Sequence, residues 1–225
     1  MRAGRAMSGA ILTGIALFAG WQVASGVWMT AKARLAQVLL DRAFAGTVTA
    51  GAAVRPWPWA DIRPLAKLTV PRLGRTAVAL DSASGEAMAF GPGHVAGSAQ
   101  PGAPGLSIFA GHRDSHFAFL RALRAGDAVE VTDGGGRLTR YLVRDTRVVD
   151  AGRSGLDPDM PGRWLALATC WPFHAIRPGG PERYVVLAEA VAEAPEPVQS
   201  GARFSRPAGL LASASRDHQL GMSRP

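Results

Sequence analysis

Leu165-Ala166-Leu167-Ala168-Thr169-Cys170-Trp171-Pro172-Phe173 reads as an apolar strand that ends in Thr-Cys and is broken at once by Trp-Pro-Phe. Cys170 is the only cysteine in 225 residues, which excludes an intramolecular disulfide and a Cys-based zinc site. A thiol at a strand tip, just before a forced turn, is placed to react with a molecule arriving from outside. The competing reading is a buried cysteine that serves as a small hydrophobe.

Further strand-like runs lie on both sides of this one. Upstream are Leu65–Val70, Thr76–Leu80, Leu106–Ala110, Ala128–Thr132 and Leu138–Val149, the last a long strand or two strands with a bend. Downstream is Tyr184–Ala190. Turn signals separate them: Pro71, Asp81-Ser82, Asp133-Gly134-Gly135-Gly136 and a Gly/Pro-rich passage from Phe90 to Gly105 that reads as loop throughout. Beyond Ala60, helical spacing is confined to His116–Leu123, where Phe117, Leu120 and Leu123 share a face. Short strands with regular turns and little helix predict an all-β sandwich or closed barrel.

The N-terminus is of another kind. Arg2 and Arg5 precede a stretch, Ala6 to Ala31, without a charged side chain, and its centre from Ala10 to Gly20 is apolar. About 20 apolar residues cross a bilayer, so residues 1–31 are predicted to be a transmembrane anchor, with the N-terminus inside. A cleaved signal peptide is the alternative, with Ala24-Ser25-Gly26 as its weak cleavage site. Residues 32–60 read as stalk and linker, because Leu35, Val38 and Leu39 keep helical spacing and Val54–Trp59 alternates proline with tryptophan. Residues 61–193 form the folded domain. Residues 194–225, rich in Pro, Ser, Arg and Gly without periodicity, read as a disordered tail. The net charge of +8 comes from scattered arginines with no aromatic-basic recognition motif, so nucleic acid is not expected as a partner.

A nucleophilic thiol needs a base or proton partner and a donor for the oxyanion its attack creates. Five histidines are available. His112 follows an apolar strand through Gly111; His94, His116 and His174 remain open on spacing alone, and His218 lies in the tail. Arg183 opens the last strand and approaches Cys170 if the two final strands pair, with Arg177 in the preceding loop as the alternative.

Three segments together resemble the sortases, in particular the proteobacterial (class GN) type. Leu167-Ala168-Thr169-Cys170 is similar to the Thr-Leu-x-Thr-Cys signature, with Ala166 where the first Thr is often found. That departure bears on strand packing rather than chemistry. Ala110-Gly111-His112-Arg113-Asp114-Ser115-His116-Phe117 is similar to the segment that carries the sortase histidine, and Glu182-Arg183-Tyr184-Val185-Val186 to the strand with its arginine. The resemblance covers roughly Leu65 to Val191 and implies an eight-stranded β-barrel with short helices. It further implies a cysteine transpeptidase outside the cytoplasmic membrane, in proteobacteria on the periplasmic face. Cys170 is then the nucleophile, His112 the proton donor and acceptor, and Arg183 the oxyanion donor, with Ala168 and Thr169 against the substrate. No cofactor is implied. The implied partners are a secreted protein with a C-terminal Leu-Pro-x-Thr-Gly-like sorting signal and an amine acceptor of the cell envelope. Asp114 or Asp145 is available to orient the pocket. The rival readings are a peptidase that only hydrolyses the thioacyl intermediate, an L,D-transpeptidase whose motif around Cys differs from Thr169 and Trp171-Pro172, and a tethered barrel that binds without catalysis.

Overall fold

The computed structural model describes residues 2–175, 177 and 179–191, with side chains in the first helix described from residue 14 onward except Ala16. The tail expected over 194–225 lies outside the described residues. So do the side chains that open the expected membrane segment.

Eight strands follow one long helix. They are β1 (Pro64–Val70), β2 (Arg75–Leu80), β3 (Gly93–His94), β4 (Gly105–Gly111), β5 (Ala128–Asp133), β6 (Leu138–Asp150), β7 (Arg163–Cys170) and β8 (Glu182–Ala190). They close into a barrel in the order β1-β2-β3-β4-β7-β8-β6-β5. Most pairs are antiparallel, but β2 and β3 run parallel, as do β4 and β7, with Gly105 opposite Arg163 and Gly111 opposite Thr169. Alternation along β1 sends Ala66, Leu68 and Val70 inward, and they join Phe109, Leu165, Leu167, Val131, Tyr141 and Val186 in the barrel core. Closure leaves no long sheet edge open to pairing with another chain.

The long run Leu138–Asp150 is a single strand whose register shifts between Val143 and Asp145, which supplies the bend within one element. The Gly/Pro-rich passage differs from expectation, because it contains β3. A Cβ at Gly93 would stand 2.1 Å from the Ser82 carbonyl oxygen, so only glycine lets this segment press against residues 82–83 and bridge β2 to β4. The helix expected at His116–Leu123 is a 3-10 helix over Ala118–Ala122, capped by Leu123 and closed before Gly126.

Helix α1 runs from Arg2 to Ala50. Its C-terminal end is not free of the barrel: Leu40, Ala43, Phe44 and Thr47 are buried, and Leu40 and Phe44 pack with Ile62, Val78, Leu80 and Ala87. That packing explains why β2 ends in four consecutive buried residues. Ala79 faces the barrel core while Val78 and Leu80 lie under the helix, so both faces are covered. Of the two linker indoles expected to pack on the domain, Trp57 does so, edge-on to Phe90 at 5.4 Å, whereas Trp59 is 80% exposed. The membrane-spanning helix expected over residues 1–31 is not found: among the described residues, no helix is long and apolar enough to cross a membrane. Much of the apolar centre on which that expectation rests, Ala10 to Thr13 and Ala16, lies outside the described side chains.

Candidate functional site

The parallel β4–β7 pairing decides where the site is. Gly111 stands opposite Thr169, so the next residues, His112 and Cys170, leave the two strand ends side by side. Neighbouring strands lie about 4.8 Å apart. On the other flank of β7 the antiparallel partner of Cys170 is Arg183 itself. Directly opposed residues share a face. Three side chains far apart in sequence thereby reach one edge of the barrel, at the ends of three adjacent strands.

That face is the outer one. Ile108, Ala166 and Val185 alternate with the core-facing residues and form a separate apolar cluster, joined by Val95, Val149, Leu156, Ala168 and Leu187. Part of this surface lines a groove of about 340 Å³, with His112, Cys170 and Arg183 at one end and Ile108, Ala168, Val149 and Leu156 among its walls. Cys170 is half-buried and unpaired, and His112 is exposed. Ala168 lies on the groove face. Thr169 also lines the groove, but it is only 2% exposed and its hydroxyl donates to the Gly111 carbonyl oxygen at 2.7 Å. Thr169 therefore ties the Cys-bearing strand to the backbone that carries His112.

Arg183 is held by one edge. Its Nη1 donates to the Gly180 and Glu182 carbonyl oxygens at 2.7 and 2.8 Å. The fork of a guanidinium leaves other donors for a further acceptor. Trp171 and Phe173, at the start of the loop after β7, are packed rather than loose. Trp171 stacks on Tyr184 at 5.8 Å, and Phe173 meets both rings edge-on at 5.7 and 5.2 Å. Trp171 N–H also donates to the Glu182 carbonyl at 3.1 Å.

The other histidines divide clearly. His94 is buried against Phe109 at 5.3 Å, and its Nε2 meets Ser98 Oγ at 3.0 Å and the Ala99 carbonyl at 2.9 Å, so it holds a loop together. His174 is exposed in the β7–β8 loop. His116 sits behind the His112 turn; burial pushes its pKa below the ordinary histidine value, a backbone hydrogen bond with Ala89 acts the other way, and the nearby His112 lowers it further. Arg177 contributes a carbonyl to the loop. Asp114 is exposed, and Asp145 pairs with Arg147 at 3.6 Å. Among the described residues, no group of three or more His, Cys, Asp or Glu is placed to hold a metal ion.

Arg113 had no sequence signal as part of the site. It is only 9% exposed, and its Nη2 donates to the Ala175 and Arg177 carbonyls at 2.8 and 2.6 Å. The residue after His112 thus grips the loop after Cys170. An arginine in a Gly-His-Arg-Asp run between a strand and a short helix looks solvated, and only the folded loop closing over it makes it buried. Gly111 is constrained as well: a Cβ there would stand 2.8 Å from the Phe117 ring, and Phe117 N–H closes the turn onto the His112 carbonyl at 3.0 Å.

The closed eight-stranded barrel thus gathers Cys170, His112 and Arg183 at the rim of an outer groove. The sortase domain model matches residues 68–191, more than half of the chain, and the chain belongs to the sortase family. Sortase A from Corynebacterium diphtheriae is 25% identical with a TM-score of 0.55, over 61% of this chain and 65% of that one. The chain thus spans just under two thirds of that relative's length. Sortase C-1 from Actinomyces oris is 26% identical with a TM-score of 0.51, over 57% of this chain and 75% of that one. A Clostridium perfringens sortase D5 transpeptidase, at 21% identity and a TM-score of 0.51 over 57% of this chain and 79% of that one, shares the fold. No curated protein matches the chain.

Proposed function

We propose that this protein is an envelope transpeptidase in which Cys170, His112 and Arg183 carry the reaction. The observation that supports it most is the register: Cys170 opposite Arg183 across β7–β8, and one position beyond the Gly111–Thr169 pair that brings in His112. The Cys170 thiolate attacks the Thr carbonyl carbon of a sorting signal lying in the groove, and a tetrahedral oxyanion forms. The free donors of Arg183 stabilise that charge. The peptide C–N bond breaks, His112 protonates the departing amine, and a thioacyl-enzyme remains. An acceptor amine then attacks the same carbon. The new C–N bond forms as the C–S bond breaks, the amine's proton passes to His112, and Cys170 returns as thiolate.

The apolar groove walls at Ile108, Ala168, Val149 and Leu156 suit an extended peptide with a branched aliphatic side chain, in keeping with a Leu-Pro-x-Thr-Gly-like signal. The motif pattern supports the proteobacterial type. The charge-free stretch Ala6–Ala31, with Phe18, Trp21, Val27 and Trp28 exposed along the helix, supports attachment of the N-terminal segment to the cytoplasmic membrane with the barrel on the periplasmic face.

The test is a thioacyl trap. A fluorogenic Leu-Pro-x-Thr-Gly peptide library is incubated with the full chain, with and without a primary amine, and products are identified by mass. Expected are a Cys170-linked acyl-enzyme and an amine-ligated product, both lost in Cys170→Ala and strongly reduced in His112→Ala and Arg183→Ala. Hydrolysis unaffected by amine supports the peptidase reading instead. An unreactive Cys170, in a protein that still binds the peptides, supports the binding module.

A further inference from the structure

A second cavity lies on the other side of the turn that carries His112. It measures about 460 Å³ and is bounded by the start of β2, the turn after His112 and the 3-10 helix. Arg75, Thr76, Ser115, His116, Phe119 and Arg121 are among its walls, and no carboxylate is. The side chains of Arg75 and Arg121 make no hydrogen bond or ion pair among the described residues, whereas the nearby Arg72 guanidinium is engaged through Nε and Nη2 by Asp127 and the Ala122 carbonyl. The result is a recess with two uncommitted guanidiniums, two hydroxyls and an apolar floor from Phe119.

We propose that this recess binds an oxyanion, a phosphate or carboxylate group, carried by the amine acceptor, and so selects anionic acceptors over neutral ones. The inference rests on the transpeptidase reading of Cys170 and His112. The chemistry gives the reason for the side. The donor peptide fills the groove along β4, β7 and β8, so the acceptor approaches the thioacyl carbon past His112, which takes its proton. Ser115 and His116 connect the two regions: both line the cationic recess, and both sit in the turn that follows His112 and is closed by the Phe117 N–H donating to the His112 carbonyl at 3.0 Å. Guanidinium forks bind planar or tetrahedral oxyanions through paired donors. Placed there, the anion anchors a short amine beside His112 and leaves the groove to the sorting signal.

The experiment uses the full chain and three short primary-amine acceptors: ethanolamine, O-phosphoethanolamine and β-alanine. Binding is measured by calorimetry, and the rate of thioacyl-enzyme resolution by rapid-quench mass spectrometry. The proposal expects saturable binding of O-phosphoethanolamine, β-alanine or both, and little for ethanolamine. In the double variant Arg75→Gln/Arg121→Gln, binding weakens about tenfold and the resolution rates of the three amines converge, since one charge-assisted pair is worth roughly that factor. Thioacyl formation stays at the parent rate, because neither arginine touches the groove. The phosphate and carboxylate arms distinguish the two anion chemistries. Equal binding of all three amines by the parent, or anion binding undiminished in the double variant, overturns the proposal. If no peptide acylates Cys170, the transpeptidase reading fails, and with it the acceptor role, while the binding arm still decides whether the recess is an anion site.

Discussion

Thr169→Val removes one hydroxyl and changes little else, and it tests how the site is held. The Thr169 hydroxyl donates to Gly111 O at 2.7 Å within a residue that is 2% exposed. Valine has nearly the same shape, so no cavity forms. What remains is a buried carbonyl facing a methyl group, and an acceptor stranded in this way costs about 2 kcal/mol. For a fold of this size, that lowers the melting temperature by about 4–8 °C. Function should fall by more than stability alone accounts for. Gly111 immediately precedes His112, so relaxing the tie lets the imidazole drift from Cys170, and misplacement of that kind costs about tenfold or more in rate. The assay pairs a thermal melt with single-turnover acylation at 25 °C, where the folded fraction is still essentially complete. Thr169→Ser is the control, because it keeps the hydroxyl and should retain most of both properties. A valine variant with parental melting temperature and parental acylation rate would refute the argument, since the bond would then be holding nothing.

Arg113→Met should loosen the loop after Cys170 by removing two bonds to the Ala175 and Arg177 carbonyls. The expected signature is roughly tenfold lower kcat/KM with faster proteolysis in the loop, and Arg113→Lys restores only part of it for want of a fork; unchanged proteolysis would count against it. Gly111→Ala drives a methyl into the Phe117 ring and should depress acylation about tenfold or more through the shifted His112 turn, while Gly97→Ala, with open space around it but φ at 81°, should cost only stability. Asp127 tests electrostatics, because the hydrogen bonds from Arg72 hold its carboxyl below the ordinary carboxylate value. The unfolded chain then takes up a proton at higher pH than the native one. The stabilisation is therefore complete above the ordinary value and lost as pH falls through the native one. In urea titrations Asp127→Asn should be less stable than the parent at pH 7, with the gap closing below about pH 4; a gap independent of pH would contradict the pairing.

Most of the architecture is visible in local pattern, because alternation and turn residues act over a few positions. Seven strand segments are legible from Leu65 to Ala190. The eighth, Gly93–His94, is hidden: two residues in a Gly/Pro run show no alternation, and their strand status depends on pairing with Leu80 of β2 and with Phe109 and Ala110 of β4. The docking of α1 is likewise hidden. Leu40 and Phe44 carry a helical pattern suited to any amphipathic surface, and only the barrel's β2 makes it an interface.

Chain chemistry by itself determined that there is a single thiol at a strand tip, a histidine behind an apolar strand and an arginine at the start of the last one. Those are statements about neighbours in sequence. Tertiary structure decided which histidine stands beside the thiol, since the parallel β4–β7 register joins segments more than fifty residues apart. It also made Arg113 a buried grip and opened a second recess behind His112. The physical reason is common to all three. Strand pairing and loop closure set distances between residues that no local pattern relates, and side-chain chemistry at the barrel rim depends on those distances.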